Sequence, residues 1–307
     1  MLRVVITGGT GFIGRKLAAE LLAQGDAVTV LTRDAARGRS QVPAEVRVVE
    51  WTPTEKGPWY AEIAGADAIV HLAGESVARR WTEEARRAIV ASRIDSTRRI
   101  LEAIDGAPSK PLVLVSASAI GYYGAQPADR ELDERSPRGE GFLAEVCGRW
   151  EETARSVAQY GVRAAQVRIG VVLGEGGGAL EKMALPFKFF AGGPVGDGSQ
   201  MVSWVHADDV VGIFRLALEN VRVVGPINAV APSPVPQREL AAAIGRALGR
   251  PSWLKAPAFA IHLALGEASE IMTTGQRVVP GRALDLGYAF RRPDLGPALA
   301  SIFHRSP

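Results

Sequence analysis

Three glycines stand at threefold spacing near the start of the chain, in the segment Gly8-Gly9-Thr10-Gly11-Phe12-Ile13-Gly14. They lie between a β-branched run, Arg3–Thr7, and a stretch of helical periodicity that begins at Phe12. Because a glycine has no side chain, Gly8 and Gly11 permit a tight turn and a close approach of the backbone to a ligand, and Gly14 lets the helix pack on the strand. The N-terminus of that helix attracts negative charge. The pattern therefore predicts a turn that holds the pyrophosphate of a dinucleotide.

The same segment partly fits the phosphate-binding loop of nucleoside triphosphatases. Gly9 and Gly14 have the spacing of G-x-x-x-x-G, but the residues that follow are Arg15 and Lys16, where that loop requires Lys and then Ser or Thr. The sequence therefore argues against an ATPase.

The end of the second predicted strand indicates which dinucleotide is bound. NAD-dependent sheets usually place an acid about 20 residues beyond the glycines to bond the ribose 2′-hydroxyl, whereas an arginine accommodates a 2′-phosphate. Here the strand ends at Thr32, Arg33 follows, and Arg37 and Arg39 are close behind. We therefore expect NADP(H), with Thr32 and Arg33 at the cofactor. The alternative is that Arg33 is a solvated loop residue and Asp34 is the ribose ligand or a helix N-cap.

These residues require a parallel sheet to position them. Short β-branched runs alternate with longer helical stretches in the first half of the chain, which predicts an α/β fold, a doubly wound Rossmann sheet covered on both faces. The predicted strands are Arg3–Thr7, Ala27–Thr32, Val46–Glu50, Ala68–Leu72, Leu112–Ser116 and Arg163–Ile169. The predicted helices include Phe12–Gln24, Phe142–Tyr160 and Ala207–Glu219.

Gly- and Pro-rich loops replace this alternation after about residue 170. We therefore predict an NADP-binding Rossmann domain over residues 1–170, with residues 207–220 packing back on it. Residues 171–307 are predicted to form a smaller C-terminal substrate subdomain.

Composition excludes several classes of protein. The 307 residues are 47% hydrophobic and 22% charged, which excludes intrinsic disorder. No apolar run reaches the roughly 18 residues of a bilayer span and no signal segment precedes the first strand, so we expect a cytoplasmic protein without a membrane partner. The net charge is only +3 and its basic residues are interspersed with acids, which argues against nucleic acid. One cysteine, Cys147, and the scattered histidines His71, His206, His262 and His304 indicate no disulfide and no metal site.

Further segments resemble one known family. They are His71–Glu75, Ser116–Gly124, Arg168–Gly174, Gly192–Pro194, Ser203–Asp209 and Val278–Pro280. Together with the glycine turn, they resemble extended short-chain dehydrogenase/reductases, the NAD-dependent epimerase/dehydratase superfamily. Within it they match an atypical branch called epimerase family proteins, some of which carry a SulA-like cell-division label. The resemblance covers nearly the whole chain.

The resemblance implies a six- or seven-stranded Rossmann domain and a set of cofactor contacts. Beyond the glycines and the end of the second strand, the implied contacts are Thr10, Phe12, Ile13, Leu72, Ala73, Gly74, Arg93 and Val172. Leu72 and Ala73 would border the adenosine, and Val172 would lie where the backbone meets the nicotinamide amide. Arg93 replaces the usual Asn of N-x-x-G-T, and its cation would pair with the cofactor phosphates. The alternative for Arg93 is an ion pair on the surface of a helix.

The catalytic residues depart from the family pattern. Hydride-transfer enzymes of the superfamily use a Tyr as general acid/base with a Lys four residues later, and none of the five tyrosines here has a lysine at that distance. The corresponding helix positions are Leu143 and Cys147, which we interpret as core. Ser118 stands at the position of the catalytic serine, so the resemblance and the neighbouring Tyr122 and Tyr123 suggest an acid/base pair from this loop. The alternative is that Ser118 caps a turn and that both tyrosines only pack.

Two functions follow from these observations. The first is an NADP(H)-dependent oxidoreductase or epimerase that acts on a small polar substrate, with a nucleotide sugar suggested by superfamily analogy alone. The second is a catalytically silent NADP(H)-binding protein that regulates a partner, as the cell-division label of some relatives suggests. Ser118 and a full substrate subdomain favour the first, and the missing Tyr/Lys pair favours the second. A homodimer is a further expectation, because pairing of two copies through two helices is common in the superfamily.

Overall fold

Strands and helices alternate along most of the chain in the computed structural model, which describes residues 1–303. The strands are β1 (Arg3–Thr7), β2 (Ala27–Thr32), β3 (Arg47–Glu50), β4 (Ala68–His71), β5 (Val113–Ala119), β6 (Glu131–Leu132), β7 (Arg163–Ile169), β8 (Val171–Leu173), β9 (Met201–Val202), β10 (Trp204–His206), β11 (Gly225–Ala229), β12 (Val235–Pro236) and β13 (Arg277–Val278). The helices are α1 (Phe12–Ala23), α2 (Ala35–Arg39), α3 (Tyr60–Ala64), α4 (Glu83–Asp105), α5 (Phe142–Arg155), α6 (Ala179–Lys188), α7 (Ala207–Glu219), α8 (Gln237–Leu248), α9 (Ala258–Leu265), α10 (Glu270–Thr273), α11 (Gly281–Asp285) and α12 (Leu295–Phe303). Short 3₁₀ turns occupy Ile120–Tyr123, Ser156–Tyr160 and Gly266–Ser269.

Seven of these strands form one parallel sheet in the order β11-β7-β5-β4-β1-β2-β3. The chain order reverses between β1 and β4, and at such a switch point the carboxyl ends of the strands open a crevice for a ligand. The predicted doubly wound Rossmann sheet is confirmed.

Most predicted element bounds differ little from those observed. The predicted first helix and the predicted third and fourth strands are each one residue longer than α1, β3 and β4. Strand β5 begins at Val113 rather than at Leu112, whose side chain is 69% exposed, and it continues to Ala119. The helix predicted over Phe142–Tyr160 ends as α5 at Arg155 and continues as a 3₁₀ turn.

The pattern of β-branched runs missed strand β11. Its sequence contains Gly225 and Pro226, residues that weaken a strand and normally argue against one. The strand lies at the edge of the sheet, beside β7, and proline is tolerated at such an edge.

Both faces of the sheet are covered by helices. On one face, Val210 and Phe214 of α7 and Leu17 of α1 belong to the same core cluster as Val4 and Ile6 of β1. On the other face, side chains of α3, α4 and α5 cover the sheet, including Ile63, Ile104 and Ala154.

The C-terminal part of the chain has an additional core. Leu180 of α6, Leu240 of α8 and Leu299 of α12 pack in one cluster of their own. Strand β11 nevertheless returns to the central sheet from this part of the chain. The domain boundary at residue 170 stays a prediction.

Two further observations bear on the classes considered above. Over residues 1–303, no helix is both long enough and apolar enough to cross a bilayer. Over the same range, no three His, Cys, Asp or Glu side chains come together in a way that could hold a metal ion. His304 lies outside the described residues.

Candidate functional site

The turn between β1 and α1 has no room for side chains at its glycines. Gly8 has φ +69°, and a Cβ there would lie 2.8 Å from the backbone nitrogen of Ala73. A Cβ at Gly14 would lie 2.4 Å from the carbonyl oxygen of Gly8. Gly11 is the N-cap of α1 and supplies no side-chain cap, and the first turn of the helix contains no acidic residue. The backbone N–H groups at this helix end are therefore suited to an anion.

Phe12, at the start of α1, lies close to the segment that carries Val172. A Cβ at Gly178 would lie 3.0 Å from the ring of Phe12 and 3.1 Å from the carbonyl oxygen of Val172. Thr10 and Ile13 are partly buried in the same turn. The fold therefore brings the glycine turn and Val172 to the same side of the sheet.

Arg33 lies directly after β2 as an exposed cation. Its side chain is 75% exposed, and its guanidinium donates to the carboxylate of Glu75 at 3.2 Å. Asp34 is the N-cap of α2, where its carboxylate accepts the backbone N–H of Arg37 at 2.9 Å. The N-cap role considered for Asp34 is thus observed. Arg33 remains accessible beside Thr32, at the end of the strand where a 2′-phosphate would lie.

Arg93 of α4 is held against the segment that follows β4. Its guanidinium donates to the carbonyl oxygens of Glu75 and Ile89, at 3.0 and 3.2 Å, and lies 5.2 Å from the ring of Trp150. A Cβ at Gly74 would lie 3.1 Å from it. Burial lowers the pKa of Arg93. The side chain is therefore not the surface ion pair considered as an alternative.

His71 is the last residue of β4 and directly precedes the segment Leu72–Gly74. Its Nδ1 lies 2.6 Å from Oγ1 of Thr7 in β1, and its Nε2 lies 3.1 Å from Oγ of Ser96 in α4. Full burial lowers the pKa of His71 to about 3, so the ring is neutral at physiological pH. It acts as a polar link between two strands and a helix.

Ser118 and Tyr123 belong to one buried hydrogen-bond network. Ser118 Oγ donates to Oε1 of Glu151 at 2.7 Å, and Arg168 donates to both carboxylate oxygens of Glu151 at 2.8 Å. The third guanidinium nitrogen donates to Tyr123 Oη at 2.9 Å, and Tyr123 Oη donates to Oδ1 of Asn228 at 2.8 Å. The side chains of Arg168 and Glu151 are only 2% and 1% exposed. Burial raises the pKa of Tyr123 to about 12.

Tyr122 differs from its neighbour. Cζ of Arg168 lies 3.5 Å from the centre of the Tyr122 ring, so the guanidinium holds that ring by a cation–π contact. The side chain of Tyr122 is partly exposed, whereas Tyr123 is fully buried. The hydroxyl of Tyr122 takes no part in the network described above.

The helix positions where the family's Tyr and Lys would stand are packed. A Cβ at Gly121 would lie 3.3 Å from Cβ of Leu143 and 3.9 Å from Sγ of Cys147. Cys147 is buried, and burial raises the pKa of its thiol to about 11. The interpretation of Cys147 as core is confirmed. His206 is the N-cap of α7 and accepts the backbone N–H of Asp208.

The sequence patterns singled out neither Glu151 nor Asn228 as members of this site. Glu151 interrupts the apolar stripe of α5, four residues after Cys147 and beside Trp150, and a carboxylate at such a position signals a buried partner. Arg168 is the next-to-last residue of the buried strand β7 and is the complementary signal. Asn228 lies on the strand that the sequence patterns missed.

Comparison with known proteins agrees with this geometry. Residues 4–230 match the NAD dependent epimerase/dehydratase family, and residues 256–302 match a domain of unknown function, DUF1731. The chain is 43% identical over 301 residues to the chloroplastic epimerase family protein SDR39U1 homolog of Arabidopsis thaliana, covering 97% of this chain and 86% of the relative.

Two solved structures are similar in both fold and sequence. Human epimerase family protein SDR39U1, crystallised with NADPH, has a TM-score of 0.87 and 35% identity, and the match covers 99% of this chain and 100% of the human one. A nucleoside-diphosphate sugar epimerase from Corynebacterium glutamicum has a TM-score of 0.78 and 33% identity, over 97% of this chain and 57% of that one. The family resemblance seen in the motifs is confirmed, and the chain belongs to the NAD dependent epimerase/dehydratase family.

Proposed function

We propose that this chain binds NADP(H) and transfers hydride between the nicotinamide and a small polar substrate. The observation that carries the proposal is the side-chain-free turn at Gly8, Gly11 and Gly14, which presents an uncapped helix end to the switch-point crevice. The similarity to human SDR39U1, which was crystallised with NADPH, supports the same cofactor.

The residues present fit that cofactor. The turn Gly8–Gly14 would hold the pyrophosphate, Leu72 and Ala73 would border the adenosine, and Arg33 would pair with the 2′-phosphate. Arg93 would pair with the cofactor phosphates, and Val172 would lie at the nicotinamide amide. When bound, the cofactor supplies or accepts the hydride, and the protein has to orient the substrate and move a proton.

Arg33→Ala is expected to weaken NADPH binding about tenfold, which is about 1.4 kcal/mol, and to leave NADH binding unchanged. The reason is that only NADPH has a 2′-phosphate for the guanidinium to pair with. The measurement is a titration of the purified protein with each cofactor at one salt concentration. Arg155→Ala, which removes an exposed arginine from the end of α5, is the matched control.

Equal affinities of the unmodified protein for NADPH and NADH would contradict the preference for NADP(H). Failure to bind either cofactor would contradict the function of the glycine turn itself.

We assign the proton transfer to Tyr122. Tyr123 is fully buried and its hydroxyl proton is directed to Asn228, while the Ser118 proton is directed to Glu151. Tyr122 is the partly exposed tyrosine of this loop, and Arg168 holds its ring in place. Ser118 is only 3% exposed and its proton is directed to Glu151, so we assign no proton transfer to it.

Tyr122→Phe is expected to lower kcat by about 10²- to 10⁴-fold, the usual contribution of a general acid or base, without a change in the Kd for NADPH. The measurement is NADPH oxidation over a panel of carbonyl compounds and nucleotide sugars, followed by kinetics on the best substrate. Tyr123→Phe is the matched control, and we expect it to reduce stability more than it reduces turnover. Unchanged turnover in Tyr122→Phe would exclude this residue as the acid/base.

A catalytically silent NADP(H)-binding regulator is the second candidate. The observation that favours it is that Ser118 and Tyr123 are both engaged in the buried network. The family resemblance, which would place Leu143 and Cys147 at the positions of the Tyr/Lys pair, points the same way. Tight NADPH binding with no oxidation across the whole panel would support the regulator and overturn the enzyme.

A further inference from the structure

Large apolar side chains are exposed on two neighbouring segments of the C-terminal part of the chain. We call this group the aromatic edge. Its members and their exposed fractions are Phe189 (74%), Phe190 (58%), Trp253 (72%), Leu254 (44%) and Phe259 (75%). Exposed aromatic side chains grouped in this way mark an interaction surface rather than ordinary solvent-facing structure.

Backbone hydrogen bonds hold the two segments side by side. The N–H of Leu254 donates to the carbonyl of Gly192 at 3.1 Å, and the N–H of Ala256 donates to the carbonyl of Pro194 at 2.8 Å. Helix α9 continues directly from the second segment and buries none of its residues, although nearly all of them are apolar. Leu263 follows Phe259 by four residues, so the two exposed side chains share one face of α9.

The two segments that carry the aromatic edge contain cations and no acids, and the acids Asp197 and Glu267 follow them directly. Residues 182–196 and 240–266 contain no Asp and no Glu. Their cations include Lys188, Arg246, Arg250 and Lys255, and Cζ of Arg250 lies 4.5 Å from the centre of the Phe190 ring.

We propose that the aromatic edge binds the surface of a lipid bilayer that contains anionic lipids. Exposed Trp and Phe rings are suited to the headgroup depth of a bilayer, an apolar helix can lie in that interface without spanning it, and Lys and Arg pair with lipid phosphates. The aliphatic Leu254, Leu263 and the nearly all-apolar α9 match hydrocarbon better than they match nucleic acid bases, which bind by stacking on rings. In a two-fold contact between two copies, the same cations would face each other, which argues against self-association.

Trp253 provides a built-in reporter for this contact. The other five tryptophans are buried, with exposed fractions of at most 8%. Quenching of the intrinsic fluorescence by acrylamide therefore reports mainly on Trp253. The experiment mixes the full chain with vesicles of phosphatidylcholine plus phosphatidylglycerol, or of phosphatidylcholine alone, and records co-sedimentation, the tryptophan emission maximum and acrylamide quenching.

We expect binding to the anionic vesicles, a blue shift of the tryptophan emission and protection of Trp253 from acrylamide. The affinity for the neutral vesicles is expected to be lower by about tenfold or more. Phe189→Ser with Phe259→Ser, and separately Lys188→Glu with Lys255→Glu, are expected to weaken vesicle binding at least about tenfold. The matched controls are Val221→Ser with Val224→Ser, two exposed apolar residues elsewhere, and Arg135→Glu with Arg155→Glu, which change the net charge equally.

The Kd for NADPH is measured in each variant and is expected to stay unchanged, because none of these residues lies at the glycine turn. The test of vesicle binding is therefore independent of the proposed function. Absence of binding to the anionic vesicles by the unmodified chain would overturn the proposal. So would equal losses in the control and test variants, or protection of Trp253 that needs no lipid and accompanies a concentration-dependent dimer. Protection by single-stranded RNA in place of vesicles would likewise overturn it.

Discussion

Glu151→Ala is expected to lower the free energy of unfolding by about 3–5 kcal/mol, the range seen when one partner of a buried ion pair is removed. The substitution leaves the guanidinium of Arg168 without its carboxylate in a site where its side chain is only 2% exposed. It also removes the acceptor of the Ser118 hydroxyl. The measurement is the urea midpoint and the m-value from equilibrium unfolding.

The neighbouring residue provides the control for this experiment. Glu152 is on the same helix but exposed, so Glu152→Ala is expected to change stability by no more than about 0.5 kcal/mol. Similar losses in Glu151→Ala and Glu152→Ala would show that the buried pair is not the cause. Glu151→Leu combined with Arg168→Met, which removes both charges, is expected to be much less destabilising than the sum of the single changes.

Gly14→Ala is expected to weaken NADPH binding about a hundredfold or more, which is about 2.7 kcal/mol. The added methyl group would lie 2.4 Å from the carbonyl oxygen of Gly8 and 2.6 Å from Cα of Gly9, so the turn has to open and the helix end has to move. Moving a helix end displaces the N–H groups on which the pyrophosphate docks. The measurement is an NADPH titration, combined with thermal unfolding to establish how far the fold itself is affected.

Gly296→Ala is the matched control, because a Cβ at Gly296 in α12 meets no atom of residues 1–303 within 4 Å outside the backbone of its own helix, and alanine favours a helix. We expect this variant to keep its NADPH affinity and its stability. Unchanged NADPH affinity in Gly14→Ala would mean that the turn tolerates the extra atom and does not hold the pyrophosphate in the way proposed.

The buried network has a chemical consequence for the proposed site. Ser118 is held on the sheet by Glu151, and Glu151 is held by Arg168, which also holds the ring of Tyr122. One ion pair therefore positions both Ser118, near the end of β5, and the partly exposed Tyr122 that follows the strand. In Glu151→Gln, which keeps the shape of the side chain, an effect on turnover beyond the effect on stability would indicate this positioning role.

Local patterns in the sequence were sufficient to predict six of the seven strands of the central sheet and to propose the cofactor end of the site. The glycine turn, the strands on either side of it and Arg33 lie within about forty residues of one another. The roles proposed for them follow from periodicity, from the absence of a Cβ and from the charge of one side chain, all of which act over a few residues. The core role of Cys147 followed in the same way from its helix stripe.

Only the tertiary structure decided how the residues around Ser118 are arranged. Tyr122 and Tyr123 are adjacent in sequence, yet one is partly exposed on a guanidinium and the other is buried between Arg168 and Asn228. Asn228 lies on the edge strand β11, which the sequence patterns missed because the strand contains a glycine and a proline. The physical reason is that burying an unpaired charge costs too much free energy. A charged residue on an apolar stripe therefore indicates that a partner exists. Which residue supplies that partner depends on strand order and register, and these are set by the packing of the whole sheet.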